Sequence, residues 1–256
     1  MSPRVIIDNA GGVRVITLSR PEARNALDGA LISALYEALV AADAEPEVGA
    51  VVLTGTDPAF CAGIDLKEAA RDGEAYFARH RAQPCIPQVA RMATPVIGAI
   101  NGATFTGGLE LALGCDFLIA SERATFADTH ARVGVLPGGG LTARLPPLVG
   151  QGWARRMSYT GEVIDANCAL RIGLVTELVP HERLVERAVE LAAMAAELPA
   201  ETMHALKNIY VSGSAATVGA ALAAERAAAD ELRPDLGLLE QRRAAVTERN
   251  RRQVRP

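Results

Sequence analysis

The chain has 256 residues, half of them hydrophobic and only 4% aromatic, with a net charge of -4. That length allows one large core with a smaller appendage, built from Ala, Val, Leu and Ile rather than from rings. The weakly acidic balance gives no electrostatic footprint for nucleic acid, and no uninterrupted apolar run of about 18 residues is present to cross a membrane.

In chain order, residues 5–7 and 13–18 are β-branched apolar runs, and Asn9-Ala10-Gly11-Gly12 between them predicts a hairpin. Residues 20–26 form a polar loop. Asp28 predicts the N-cap of a helix with Leu31, Leu35 and Leu39 on one stripe. Residues 50–54 are a short buried strand ending at the turn Gly55-Thr56-Asp57-Pro58. Residues 67–91 are charged and broken by Pro84 and Pro87, which predicts a mobile helix and loop over a site. Strands follow over 96–100, 116–120 and 133–136, and the last over 174–179. From Gly150 onward the pattern is mainly helical. The final sixty residues are Ala-rich helices separated by Pro199 and Pro234, with Leu236, Leu238 and Leu239 as exposed anchors. Strand pairs with helices first and helices last imply an α/β core with a helical C-terminal appendage, folded back on the core or packed on a second subunit.

Cys61, Cys85, Cys115 and Cys168 form no C-x-x-C. They are read as small buried residues in a reducing compartment. Residues 1–9 lack the apolar segment of a signal peptide, so a cytoplasmic location is expected. Arg242, Arg243, Arg249, Arg251, Arg252 and Arg255 make a basic tail. It fits a solvated helix end placed well against the helix dipole, with a role facing a ligand or partner as the alternative.

Residues 101–116 join an apolar strand, the double glycine Gly107-Gly108, and a helix with Glu110 in its first turn. Bare backbone lets a ligand approach closely. The N–H groups opening a helix point outward with the positive end of its dipole. Such a site suits a developing negative charge, with an acid/base group one turn away.

Other chemistries fail on their motifs. There is no G-x-x-x-x-G-K-[ST], no G-x-S-x-G elbow, and His80, His130, His181 and His204 lie outside any H-E-x-x-H. Gly138 to Ala143 fits G-x-G-x-x-G/A formally. Pro137 breaks the strand side and Pro146-Pro147 leave barely two turns of helix, while Glu162, near the spacing of a ribose carboxylate, follows a helix instead of a strand. The match is one of chance.

Four segments resemble the crotonase (enoyl-CoA hydratase/isomerase) superfamily in order and spacing. They are Arg20-Pro21-Glu22-Ala23-Arg24-Asn25-Ala26-Leu27, Phe60-Cys61-Ala62-Gly63-Ile64-Asp65-Leu66, residues 101–116, and Gly134-Val135-Leu136-Pro137-Gly138-Gly139-Gly140. Thr160-Gly161, Ala166, residues 169–175 and Lys207 extend the likeness over nearly the whole chain. The resemblance implies an α/β spiral of strand–strand–helix repeats over 1–195 that holds a coenzyme A thioester. It also implies a helical region over 196–256 for contacts in a homotrimer or dimer of trimers. No cofactor is implied beyond the coenzyme A carried by the substrate, and no metal. Backbone N–H groups of Ile64 and Gly107 would stabilise a thioester enolate. Arg24, Ala26, Ala62, Ile64, Asp65, Leu66, Lys67, Gly107 and Gly108 would line the acyl-CoA, with Lys67 and Arg24 on phosphates or, alternatively, plain surface charges.

The family's two-carboxylate hydratases place one Glu at the position of Glu110 and a second some twenty residues later. Here His130 occupies that second position, with Asp128 two residues before it. An imidazole exchanges protons near neutral pH, so His130 is either catalytic or structural. If both side chains project to one side of a strand, Asp128 would orient the ring. Hydration of a trans-2-enoyl-CoA is the expected activity, with Glu110 activating water and His130 or Glu110 protonating C2. The alternatives are an enoyl-CoA double-bond isomerase and a non-catalytic acyl-CoA binding protein.

Overall fold

The structure, a computed structural model, describes residues 3–232 and 235–254. An antiparallel hairpin of β1 (Val5–Ala10) and β2 (Val13–Leu18) opens the fold. Helix α1 (Gly29–Ala44) starts where the Asp28 carboxylate accepts from the Leu31 amide at 2.7 Å, satisfying a donor the first turn leaves orphaned. Leu31, Leu35 and Leu39 are fully buried, as their spacing predicts.

Three strand–strand–helix turns follow. The first is β3 (Ala50–Gly55), β4 (Ala59–Cys61) and α2 (Leu66–Asp72), extended by α3 (Glu74–Ala82) and α4 (Cys85–Arg91). The second is β5 (Val96–Ile100), β6 (Ala103–Phe105) and α5 (Gly107–Leu113). The third is β7 (Phe117–Ser121), β8 (Thr125–Ala127) and the short α6 (His130–Val133). Then come α7 (Leu141–Thr160), β9 (Ile164–Asp165), α8 (Ala166–Arg171), β10 (Glu177–Val179), α9 (Leu184–Ala196), α10 (Ala200–Gly213), α11 (Ala220–Glu231) and α12 (Leu236–Val254).

Among the described residues the first strand of each turn joins a six-stranded sheet ordered β1-β2-β3-β5-β7-β10. The second joins a four-stranded sheet ordered β4-β6-β8-β9. From β2 to β10 the larger sheet is parallel, so both of its faces need cover. Alternate residues divide the work: Ala50 and Val52 of β3 pack in the cluster under Ala188 and Ala192 of α9, while Val51 and Leu53 face the main core. Stacking the turns brings the β3–β4, β5–β6 and β7–β8 strand ends, and the helices after them, to one side of the molecule.

Several elements differ from the sequence expectation. Residues 133–136 are not a strand: Val133 ends α6, and Gly134 turns the chain at a φ of 78°. Residues 67–91 are three helices, α2, α3 and α4, rather than a helix and loop. Pro146 and Pro147 lie inside α7, which bends instead at Gly150. Leu239 is fully buried, not an exposed anchor, because α12 folds back against α2 and α6 of its own chain. Pro234, Arg255 and the side chain of Leu236 lie outside the described residues.

Two arginines of the basic tail take part in that docking. Arg242 donates to the Val133 carbonyl at 3.5 Å and Arg249 to the Thr160 and Gly161 carbonyls, and these carbonyls close helix C-termini. Lys207 of α10 is buried, with Nζ 2.8 Å from Asp116 Oδ2 and 3.0 Å from the Thr94 carbonyl. No helix among the described residues is long and apolar enough to cross a membrane.

Candidate active site

Two unpaired amides are the first feature of the site. The Ala62 amide donates to the Arg24 carbonyl at 3.0 Å, Leu27 to Gly63 at 2.8 Å and Asp65 to Leu27 at 3.1 Å. Leu27 and Ile64 thus form a short parallel bridge. Successive N–H groups of extended backbone point to opposite sides, so the Ile64 amide is turned away from the bridge. It donates no hydrogen bond among the described residues. Gly107 opens α5, where an amide has no helical partner, and it too donates none among them.

Thr106 brings the two amides together. It turns the chain from β6 into α5 at φ 57° and ψ -115°, a conformation that β-branched residues seldom adopt. Its amide donates to the Ala127 carbonyl at 2.9 Å, and its hydroxyl lies 2.6 Å from that of Thr129. A Cβ built on Gly63 would lie 3.0 Å from the Gly107 nitrogen, and one on Gly107 would lie 3.5 Å from the Ile64 nitrogen. The two free donors therefore stand on segments packed directly against each other.

Gly108 has a different reason to be glycine. A Cβ there would fall 2.0 Å from the Cys61 carbonyl oxygen, because α5 rests directly on β4. Gly108→Ala is expected to destabilise the fold by about 3 kcal/mol, the upper range of overpacking. Gly107→Ala, whose Cβ meets nothing nearer than 3.5 Å, leaves the melting temperature near wild type. Thermal melts of the two variants check this contrast.

Behind the amides lies a buried carboxylate–imidazole–carboxylate series. Glu110, 4% exposed, accepts on Oε1 from the amides of Gly139 at 2.7 Å and Gly138 at 3.2 Å. Its Oε2 is 3.6 Å from Nε2 of His130, which is 5% exposed. The other ring nitrogen, Nδ1, is 2.7 Å from Asp128 Oδ1, which also accepts from the His130 backbone N–H at 3.1 Å. Asp128 thus orients the imidazole as expected, from the loop after β8 onto the first residue of α6 and not along one strand.

Burial disfavours the imidazolium, but Glu110 and Asp128 on either side outweigh it and raise the His130 pKa to about 10. Burial likewise works against the Asp128 carboxylate, and its bond to His130 overrides that and holds it below the ordinary range. A second histidine, missed by sequence reasoning, behaves oppositely. Burial depresses His80 to about 4 although Glu110 draws it upward. Its Nε2 lies 3.0 Å from the Tyr76 hydroxyl, which donates to the Leu27 carbonyl at 2.5 Å.

A cavity of about 360 Å³ opens beside Ile64, Thr106 and Thr129. Arg24, Ala26, Ala62, Ile64, Asp65, Leu66 and Lys67, all anticipated as substrate contacts, line it. The Asp65 carboxylate is largely committed to structure. It caps α2 by accepting from Lys67 and Glu68 amides at 2.9 and 3.1 Å, and it meets Arg20 Nη1 at 2.6 Å. Phe105, Thr106 and Thr129 also line the cavity, Thr106 just before Gly107 and Thr129 just before His130 in the chain, whereas Gly107, Gly108, Glu110 and His130 are not among its lining residues. Helix α12 lines it too, with Arg243 and Arg251 of the basic tail, for which a role facing a ligand was the alternative expectation, and with Val246, Thr247 and Asn250, which no sequence signal marked. Among the described residues no group of three or more His, Cys, Asp or Glu is placed to hold a metal ion.

A spiral of strand–strand–helix turns carrying two unpaired amides and a buried carboxylate–imidazole pair places the chain among α/β enzymes. A family model described as enoyl-CoA hydratase/isomerase matches residues 8–235. The chain belongs to this family, the crotonase superfamily. It is 42% identical over 205 residues to a probable enoyl-CoA hydratase of Rhizobium meliloti, covering 78% of each chain. It is 35% identical to a probable peroxisomal enoyl-CoA hydratase of Arabidopsis thaliana, over 85% of this chain and 82% of that one. The crystal structure of an enoyl-CoA hydratase from Mycobacterium smegmatis superposes with a TM-score of 0.81 at 48% identity, covering 90% of this chain and 98% of the other.

Proposed function

We propose that the site adds water across the double bond of trans-2-enoyl-CoA thioesters. The observation that carries this reading is the adjacency of two unpaired amides, Ile64 and Gly107, to the Glu110–His130 couple. The amides accept the thioester oxygen as it gains charge in the enolate. Glu110 takes a proton from the attacking water as its oxygen bonds to C3. His130, cationic at neutral pH, delivers its Nε2 proton to C2. Glu110 Oε2 faces that same nitrogen at 3.6 Å, so the proton gained by the carboxyl has a direct path back to the imidazole. Asp128 fixes the ring with Nε2 toward Glu110, the role an orienting carboxylate plays for any acid/base histidine.

Arg24 and Lys67, with Arg243 and Arg251 across the cavity, supply positive charge for the coenzyme A phosphates. No cofactor beyond that carried by the substrate enters the scheme. Exposed Leu206, Ile209, Tyr210 and Val211 on α10 support the expected trimer contact, and the free cysteines support a reducing compartment such as the cytoplasm.

The test is loss of the conjugated double bond of crotonyl-CoA, followed by absorbance. Conversion to 3-hydroxybutyryl-CoA supports hydration. Turnover confined to 3-enoyl substrates assigns isomerisation instead, and binding without any turnover sinks the enzymatic reading.

His130 carries a pH signature. The folded chain holds its proton up to about pH 10, while the unfolded chain releases it near 6.5. The resulting stabilisation is complete below about pH 6.5 and is lost as pH climbs toward 10. Between pH 7 and 10 the wild-type melting temperature is expected to fall more steeply than that of His130→Asn. Parallel curves for the two proteins would show that no shared proton is held there.

A further inference from the structure

Five residues after Pro137 serve two buried carboxylates at once. Gly138 and Gly139 direct their amides to Glu110 Oε1. Gly140 and Thr142 direct theirs to the far side, onto Glu225 of α11, at 2.6 and 2.7 Å, and the Thr142 hydroxyl adds a bond of 2.5 Å to the same group. Glu225 is 6% exposed on a helix whose other described residues are not buried. It forms no ion pair within 4.0 Å among the described residues: its direct hydrogen bonds come from backbone and hydroxyl donors, and the Arg144 guanidinium acts on it from farther off.

A buried carboxylate with no direct ion pair is costly, and its placement needs a reason. Gly140, the N-cap of α7, has no side chain with which to cap. Glu225 supplies that cap from a distant helix, where the dipole favours an anion. Arg144, on the first turn of α7, donates to the Gly139 carbonyl at 2.8 Å and steadies the same loop from within. A Cβ on Gly139 would lie 2.8 Å from Glu110 Oε2, so a small shift of this loop moves the Glu110 carboxylate directly.

We propose that Glu225 is a positioning residue for catalysis: by pinning Gly140 and Thr142 it holds the Gly138–Gly139 amides on Glu110 and keeps Oε2 turned to His130. The inference rests on the assignment of Glu110 as the reacting base. It makes the C-terminal helices part of the active site's alignment as well as its outer wall.

The test uses the full chain with Glu225→Ala and Glu225→Gln, read by amide hydrogen exchange and by crotonyl-CoA kinetics. In Glu225→Ala, exchange across residues 138–142 is expected to accelerate by about tenfold while the later turns of α7 stay protected. Its kcat is expected to fall about tenfold with KM near wild type, since alignment of the base and not binding is disturbed. Glu225→Gln keeps one acceptor and recovers most of both losses. If Glu225→Ala does not fold, Glu225→Gln bears the test, with smaller changes in the same direction. Exchange over 138–142 no faster than wild type in the folded variants overturns the proposal, and so does faster exchange with unchanged kcat. A wild-type protein inactive on every enoyl-CoA strikes the assignment of Glu110 instead, and the exchange measurement then judges the loop coupling alone.

Discussion

Glu110→Gln is expected to lower kcat for crotonyl-CoA hydration by about 10³-fold, within the range assigned to a lost acid/base group, with KM close to wild type. The substitution keeps shape and volume. Glutamine's carbonyl can still accept from Gly138 and Gly139, which now meet Oε1, so the fold is not at risk. What disappears is the capacity to take a proton from water and return it to His130. The measurement is steady-state kinetics on crotonyl-CoA, with a melting curve to show that the variant is folded. A folded Glu110→Gln protein with undiminished kcat would move the base elsewhere, and neutral His80, which lies within reach of the Glu110 charge, would be the next group to replace.

Gly107→Pro is expected to cost about 10² to 10³-fold in kcat/KM, the loss measured when one oxyanion donor is removed. Gly107 is the first residue of α5, a position where proline's fixed φ suits the helix and its missing N–H breaks no helical bond. The substitution deletes the amide that faces the Ile64 segment and also disfavours the Thr106 conformation before it, so a melting curve accompanies the kinetics. Gly107→Ala keeps that amide and is expected to retain most activity. Ile64→Val should likewise be near neutral, since the claim concerns the Ile64 main chain. A folded Gly107→Pro enzyme as active as Gly107→Ala would show that the thioester oxygen binds elsewhere.

The parts of this molecule legible in its sequence are those whose signal is local. The stripe Leu31, Leu35, Leu39 and its cap Asp28 needed only helical spacing and one side chain. Glu110 in the first turn after a double glycine needed only the motif. The pairing of Ile64 with Gly107 is different. Nothing near Ile64 marks it, and it became visible only through resemblance to a family, because the two amides meet through tertiary stacking. Strands β4, β6, β8 and β9 have two or three residues each, too few to show a period of two. Residues 133–136 look like a strand by composition, yet the turn of α6 just before them and the positive φ of Gly134 decide otherwise. The α12 wall was hidden for a further reason. Arg242 and Arg249 dock the helix by satisfying carbonyls at the ends of α6 and α7, and such pairings leave no trace in hydrophobic periodicity.

The bridge between Leu27 and Ile64 also bears on how this site can change over generations. Along the 62–65 segment cohesion takes the amides of Ala62 and Asp65 and the carbonyl of Gly63, and the chemistry takes the Ile64 N–H on the opposite edge of the Gly63–Ile64 peptide. The identity of the side chain at 64 is thus nearly free to drift, while the length of the segment is not. Inserting or deleting a single residue between Cys61 and Ile64 would rotate the reactive peptide into the bridge and present its neighbour's carbonyl to the substrate, exchanging attraction for repulsion. Selection here should tolerate substitution and purge frame-shifting length changes, a signature to seek in any collection of functional variants.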